Sequence, residues 1–113
     1  MMELNWEGVP ARHPQPGVTT RRQDFANMTV VFYEFLPGAI FPLHSHQEEQ
    51  LVVMLQGSCS FTVGDAVLAL AAGASVIAAP YAAHGCKAGP DGCRFLNILS
   101  PRREGDGAIQ FRR

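Results

Sequence analysis

Three histidines and a glutamine stand at spacings that suit a metal site. His44 and His46 are one residue apart, Gln50 follows four residues after His46, and His84 lies beyond a glycine–strand–proline segment. Alternate side chains of a β-strand point to the same face, so His44 and His46 can project toward one point. Imidazole is the commonest nitrogen ligand in proteins. The spacing predicts a site for one divalent transition metal, and Zn, Ni, Mn and Fe all suit it.

Two neighbouring residues are candidates for the fourth ligand. Gln50 lies on the same strand face as His44 and His46, whereas Glu49 enters that face only through a local bulge. A carboxylate is nevertheless the better ligand intrinsically, and Glu48 shares the parity of Gln50 but falls in a predicted loop. With Gln50 bound, all four ligands are neutral, which favours an anionic oxygen and Lewis-acid chemistry. With Glu49 bound, the ligands approach the histidine–carboxylate set of iron oxygenases.

Short strands separated by turn signals must position these residues. Apolar, β-branched and aromatic residues predict strands at 28–36, 50–56, 58–63, 66–70, 75–79 and 94–99, with a loop at 88–92. The alanine-rich stretch 67–79 is not predicted as a helix, because Gly73 interrupts it and Pro80 ends it. Residues 1–27 are predicted as a lead-in and 104–113 as a tail, with a short strand at 109–111. The pattern predicts one all-β domain, a barrel or jelly roll, over residues 1–113.

Two segments resemble the paired motifs of the cupins. Residues 38–57 resemble the first motif, with Gln50 where glutamate is usual, and residues 73–88 resemble the second, with Tyr81 where a glycine is usual. The motif residues are Gly38, His44, His46, Gln50, Gly57, Gly73, Pro80 and His84. The resemblance implies a single cupin jelly-roll β-barrel. It is closest to the small single-domain cupins of pectin degradation, which linearise unsaturated uronates and in which the position of Gln50 is a metal ligand.

That resemblance also suggests candidate catalytic residues. Arg103 follows Ser100-Pro101-Arg102, like the arginine of the pectin-degradation group, and would pair a substrate carboxylate; the alternative is a solvated tail charge. Tyr81 would line the pocket or lie at its rim. Asn97 stands where the uronate enzymes carry an acidic residue, and asparagine is no general base. The resemblance therefore carries over the metal scaffold but not that particular reaction.

Further pocket candidates follow from position. Leu99 stands where the uronate enzymes have an aromatic residue, Met54 shares the strand face of Gln50, and Cys86 shares that of His84. The alternative for Met54 is a core filler and for Cys86 a small buried apolar residue. Three cysteines, an odd number, argue against a disulfide framework.

The composition limits the partners. Hydrophobic residues make up 47% of the 113 residues, charged residues 17%, and the net charge is −1, so the chain is not expected to bind nucleic acid. No apolar run approaches the roughly 20 residues of a membrane span, and we expect a cytoplasmic protein without membrane contact. The stretch 50–56 is apolar on both faces and Phe32 lies on an outer face, which predicts a homodimer. Trp6 is expected to anchor the lead-in on the barrel.

These observations favour a metal-dependent enzyme that acts as a Lewis acid on a small anionic oxygenated molecule, through isomerase, lyase, cyclase or ring-opening chemistry of the sugar-acid type. Two alternatives stand beside it: a small iron-dependent dioxygenase, and a metal- and ligand-binding module without catalysis.

Overall fold

The computed structural model describes residues 1–106 and 109–111, and it is an all-β structure. A single 3-10 turn, Trp6–Gly8, precedes the strands. The strands are β1 Ala11–Gln15, β2 Val18–Asp24, β3 Thr29–Phe35, β4 Ile40–Ser45, β5 Glu49–Val63, β6 Ala66–Ala71, β7 Ser75–Ala78, β8 His84–Ser100 and β9 Gln110–Phe111. Within these described residues, no helix has the length and apolar character needed to cross a membrane.

The strands form one curled antiparallel sheet in which β5 and β8 are the two long members. The strand order is β1-β2-β3-β8-β4-β9, and β5 pairs with β6, β7 and β8. β5 and β8 run antiparallel from the pair Glu49–Ser100 to the pair Val63–His84. Because each long strand changes neighbours along its length, the sheet closes on itself into the predicted jelly-roll barrel.

The predicted loop at 88–92 is wrong, because this stretch lies within the strand β8. Residues 89–92 form a bend in that strand, since the pairing with β5 skips from Cys59–Ala88 to Gly57–Cys93. The glycines in this stretch allow the strand to bend and do not form a turn between two strands. Gly57 on β5 and Gly92 on β8 have φ values of 74° and 72°, and a side chain on Gly57 would collide with the main-chain oxygen of Gly92. Register shifts on both sides of Gly57 mark a β-bulge at this corner. The alanine-rich stretch is β6 and β7, in agreement with the rejection of a helix.

The lead-in and the tail also contribute strands to the sheet. Within 1–27, β2 pairs with β3 along its whole length, and β1 pairs with β2 at the sheet edge. In the tail, the predicted short strand is present as β9, which pairs with the end of β4. Part of this tail lies outside the described residues.

The core is the inner face of the barrel, and aromatic rings dominate it. Phe61, Phe95 and Met54 are each at most 2% exposed. Tyr33 stacks on Phe95 with ring centroids 4.9 Å apart. Burying one such side chain contributes about 1.5–3 kcal/mol, so these rings hold the walls on which the histidines sit.

The outer face of the sheet is only partly covered. Trp6 stacks on Phe32 with ring centroids 5.8 Å apart, so the N-terminal turn packs on β3 as expected for a packing anchor. Leu51 and Val53 on β5 are half-buried, whereas Ile77 on β7 is 62% exposed. Phe32 therefore has a cover within the chain, whereas Leu51 and Val53 are only partly covered and Ile77 is exposed.

Candidate metal centre

The ends of two strands, β4 and β8, bring the three histidines together. His44 lies near the end of β4, His46 follows that strand directly, and His84 is the first residue of β8. His44 and His84 are cross-strand partners in the antiparallel pair of β4 and β8. Directly opposite residues project from the same face. Gln50, the second residue of β5, enters the cluster from the facing strand.

The three imidazoles converge on one point. One ligand atom from each of His44, His46 and His84 lies within 4.8 Å of the others. The Nε2 atoms of His46 and His84 are 3.1 Å apart, and the His44 and His84 ring centroids are 4.3 Å apart. All three side chains are buried. Among the described residues, this is the one cluster of histidine, cysteine or acidic side chains with such geometry.

Main-chain carbonyls fix the tautomer of each ring. Nδ1 of His44 lies 2.8 Å from Pro42 O, Nδ1 of His84 lies 2.9 Å from Ala82 O, and Nδ1 of His46 lies 3.1 Å from Glu48 O. A carbonyl oxygen only accepts hydrogen bonds, so each Nδ1 must carry the proton and donate it. Each neutral ring then presents an Nε2 lone pair to the centre, the arrangement typical of metal-bound histidine.

The facing acceptors fit a cation. Nε2 of His46 lies 3.1 Å from Nε2 of His84 and 3.1 Å from Oε1 of Gln50. With the protons on the Nδ1 atoms, these three atoms are acceptors that repel one another unless a positive ion lies between them. Two nitrogens bound at about 2.0–2.1 Å to one ion, roughly 90–110° apart, are separated by about 2.9–3.4 Å. The observed separation falls in that range, so the His44, His46 and His84 triad can hold one metal ion.

The same burial keeps the rings neutral. It lowers the pKa of His44 and of His84 to about 4, and the neighbouring positive charge of Arg103 adds to this effect. Burial also lowers the pKa of His46, and for this ring the positive charge of Arg103 is the next cause. Neutral imidazole is the form that binds metals, so the site is ready to bind near neutral pH without first losing protons.

A buried ion pair supports the triad from behind His46. Nε of Arg103 donates to Oε1 of Glu48 at 2.5 Å, and both side chains are less than 10% exposed. The main-chain oxygen of Glu48 accepts from His46, and the main-chain N–H of Arg103 donates to Oγ1 of Thr29 at 3.0 Å. Arg103 is thus a buried residue at the site and not a solvated tail charge. The sequence predicts Glu48 in a loop and does not predict a role for it at the site. The sequence feature that could have indicated one is its alternate spacing with His46 and Gln50, which suits the same face of a strand.

The other predicted site residues lie at different depths. Glu49 is exposed, so its carboxylate lies outside the cluster that contains Gln50. Tyr81 is 67% exposed with φ 64°, and its N–H donates to His46 O at 2.8 Å. This left-handed conformation explains why a glycine is usual at that position of the motif. The exposed side chain lies at the rim instead of lining the interior.

A narrow cavity leads from the triad into the barrel. Its volume is about 20 Å³, room for roughly one water molecule. The residues that line it are Tyr33, Phe35, Phe41, His44, Gln50, Phe61, His84, Gly85, Cys86, Phe95 and Asn97. Of the predicted pocket residues, Cys86 and Asn97 line it. Met54 and Leu99 do not, and both are almost fully buried in the barrel.

The tyrosine and the cysteine of the cavity wall stay protonated near neutral pH. Burial raises the pKa of Tyr33 to about 12. The contact with the Cys59 thiol, and then burial, raise the pKa of Cys86. Cys86 therefore lines the cavity as a buried, protonated thiol.

A second, larger concavity lies elsewhere. An open groove of about 1180 Å³ runs between the β1–β2 hairpin and the corner formed by Gly57 and Gly92. It contains none of the three clustered histidines, and the ion pair of Arg94 with Glu34 lies on its wall. Size alone does not identify a site, and the converging ligand atoms favour the small cavity.

Comparison with known proteins agrees with this geometry. A single-residue variant of oxalate decarboxylase from Bacillus subtilis superposes with a TM-score of 0.88 at 20% identity, over 96% of this chain and 32% of that one. KdgF from a Halomonas species gives a TM-score of 0.80 at 21% identity, over 87% and 91% of the two chains. An RmlC-like cupin from Shewanella frigidimarina gives 0.79 at 25% identity, over 87% and 88%.

These likenesses differ in extent. The chain spans about a third of the oxalate decarboxylase but most of the two smaller proteins. No curated protein matches the chain in sequence. The family model described as "Cupin domain" matches residues 31–99, which include all four predicted ligands and more than half of the chain. The chain is therefore a member of the cupin family.

Proposed function

We propose that the protein binds one divalent transition metal through His44, His46, His84 and Gln50 and acts as a metal-dependent enzyme on a small anionic oxygenated substrate. The observation that carries this proposal is the convergence of Nε2 of His46, Nε2 of His84 and Oε1 of Gln50 at 3.1 Å separations, with both rings held by main-chain carbonyls.

The charges around the site support Lewis-acid chemistry. The four proposed ligands are neutral, and the one buried carboxylate nearby, Glu48, is paired with Arg103. A bound divalent ion would keep its full charge there and polarise a substrate oxygen. The buried pair of Arg103 with Glu48 is net neutral, so it leaves no free carboxylate charge beside the triad to offset the charge of a bound ion. Glu49 is exposed, which does not support the histidine–carboxylate set of a dioxygenase.

The resemblance to the uronate-linearising cupins supports sugar-acid chemistry, such as isomerisation, elimination or ring opening. The likeness to KdgF over most of both chains is consistent with that direction. Asn97 replaces the acidic residue of that group and lines the cavity, so proton abstraction by a carboxylate at this position is not part of the proposal.

Metal analysis tests the proposal. We expect about one equivalent of divalent metal in protein purified without chelator, and loss of it in the His44→Ala/His84→Ala variant. Equal metal content in the two proteins would overturn the proposal.

Two variants then identify the fourth ligand. Gln50→Glu should retain or gain metal through its added charge while activity on an anionic substrate falls, because the carboxylate lowers the Lewis acidity. Glu49→Gln is the matched control and should leave metal content unchanged. Metal loss in Glu49→Gln without loss in Gln50→Ala would move the ligand to Glu49 and favour the dioxygenase. Ligand binding without turnover would favour the non-catalytic module.

The outer face supports the further proposal of a homodimer. Leu51 of β5 pairs in register with Ile77 of β7 and Ile98 of β8, and Val53 pairs with Leu96. These residues form one continuous apolar surface, which we call the β5 patch. Patches of this kind on soluble proteins usually mark interfaces. A second copy of the chain related by two-fold symmetry would cover it.

A further inference from the structure

One buried polar atom beside the triad has no partner. Asn97 lies on the inner face of β8 and is 6% exposed. The Asn97 side chain interacts with the Tyr33 hydroxyl; burial raises the pKa of that tyrosine and this contact opposes the rise, so the amide N–H is the end that donates to it. The amide Oδ1 is the one buried side-chain nitrogen or oxygen in the described part of the chain that has no hydrogen-bond partner. Buried polar groups in native proteins are nearly always paired, and an unpaired acceptor is costly. An orphan that faces a cavity therefore points to a missing donor.

The cavity that contains this orphan is also the cavity of the metal site. His44, Gln50 and His84 line it together with Asn97. The remaining walls are aromatic rings, Cys86, Gly85 and the Tyr33 hydroxyl, and none of the lining residues is acidic, lysine or arginine. A group that enters thus meets the proposed metal ligands on one side and a neutral amide oxygen on the other.

The chemistry of Asn97 selects the entering group. An amide oxygen accepts a hydrogen bond and repels carboxylate or carbonyl oxygens. An ammonium would satisfy it, but only one neutral acceptor would then offset a charge buried beside a metal ion. The volume of about 20 Å³ admits little more than one oxygen-bearing group. A substrate hydroxyl meets all three conditions.

We propose that Asn97 is a positioning residue whose Oδ1 accepts a hydrogen bond from a substrate hydroxyl adjacent to the oxygen bound at the His44, His46 and His84 triad. The substrate class is then an α-hydroxy carboxylate or a related hydroxy-carbonyl compound. This inference rests on the proposed function, since the metal would bind the neighbouring oxygen. Asn97 acts by orienting the substrate and does not itself transfer a proton.

The test uses two probes that differ by one hydroxyl, glycolate and acetate. Their affinities are measured by calorimetry on protein loaded with Co(II), after metal content has been determined, for the wild type and for Asn97→Leu. We expect the ratio of glycolate to acetate affinity to fall about 3- to 10-fold in the variant, the usual effect of one hydrogen bond. Contact between the hydroxyl and the metal would be present in both proteins and would cancel in this comparison.

An unchanged ratio in metal-loaded Asn97→Leu would overturn the inference, because Asn97 would then hold only an ordered water molecule. Loss of metal from the variant would also overturn it, since Asn97 would then support the ligands. If Asn97→Leu does not fold, Asn97→Ala is measured in its place, and an unchanged ratio of glycolate to acetate affinity would again overturn the inference. Absence of metal from the wild type would instead refute the proposed function.

A metal-free measurement tests the orphan directly. Without ligand, Asn97→Leu should raise the thermal midpoint by roughly 3–6 °C, because it removes an unpaired buried acceptor. Thr29→Val is the matched control and should lower the midpoint. Its buried hydroxyl donates to Asp24 at 2.8 Å and accepts from Arg103 at 3.0 Å. A lowered midpoint in Asn97→Leu would show that the amide is structural and would overturn the inference.

Discussion

Acid should destabilise the metal-free protein through its buried histidines. The pKa of His44 and of His84 falls from 6.5 to about 4 because burial disfavours the charged ring. Between pH 6.5 and 4, the unfolded chain takes up protons on these rings while the folded protein does not. The unfolded state therefore binds more protons in this window, and the free energy of unfolding decreases as pH falls. Above pH 6.5 both states are neutral and stability is unaffected.

The magnitude follows from the size of the shift. A difference of about 2.5 pKa units corresponds to roughly 3.4 kcal/mol per ring once the pH is below 4. At pH 5 the loss is about 2 kcal/mol for each ring relative to pH 7.5. His44 and His84 together would remove on the order of 4 kcal/mol, a large share of the roughly 5–15 kcal/mol typical of a folded domain.

The assay is urea unfolding of chelator-treated protein at pH 7.5 and pH 5, followed by circular dichroism. The wild type is compared with His84→Gln, which cannot be protonated at this position, and with His13→Gln, which alters an exposed histidine. The loss between the two pH values should be about 2 kcal/mol smaller in His84→Gln than in wild type, and His13→Gln measures the effect of replacing an exposed histidine. Equal losses in wild type and His84→Gln would refute the assignment of a buried, neutral His84.

Three further predictions concern the support of the site and the surface. Replacing Tyr81 by glycine should raise stability by about 1 kcal/mol in urea unfolding, because the left-handed conformation strains a residue with a Cβ atom, and an unchanged midpoint would contradict this reading. Glu48→Gln should cost about 3–5 kcal/mol by leaving buried Arg103 unpaired, and Glu48→Gln/Arg103→Met should recover part of this loss; an additive double variant would argue against the pair. Light scattering at micromolar concentration should give a dimer mass for wild type and a monomer mass for Leu51→Asp/Ile77→Lys, whereas a monomeric wild type would refute the homodimer.

The parts of the site that sequence could predict are those set by local geometry. The two-residue period of a strand places His44 and His46 on one face, and the same period separates Gln50 from exposed Glu49. The approach of His84 depends on the pairing of β4 with β8, which the spacing of the two cupin motifs implies. The alternation does not run from His46 to Gln50, because residues 46–48 lie between β4 and β5, and Gln50 joins the cluster from the facing strand.

The remaining features could not be predicted from the sequence, because they depend on contacts between residues far apart in the chain. The ion pair of Glu48 with Arg103 joins residues 55 positions apart, and nothing in the local sequence specifies such a contact. The stretch containing Gly92 has the composition of a loop, yet it is a bend within a continuous strand. Glycine supplies a positive φ in either setting, and only the neighbouring strand decides between a turn and a barrel corner. Local turn signals therefore located the bend and misread its structure.

The electrostatics of the interior connect the ligand set with the proposed substrate. Burial keeps the rings of His44 and His84 neutral, and Arg103 neutralises the one buried carboxylate beside them. Asn97 completes the pocket with an uncharged acceptor where an acidic residue would have introduced a negative charge. A site built in this way has no carboxylate of its own to balance a divalent ion. Under the proposed function the balancing negative charge comes from the substrate, and the proposed role of Asn97 gives that anion a hydroxyl.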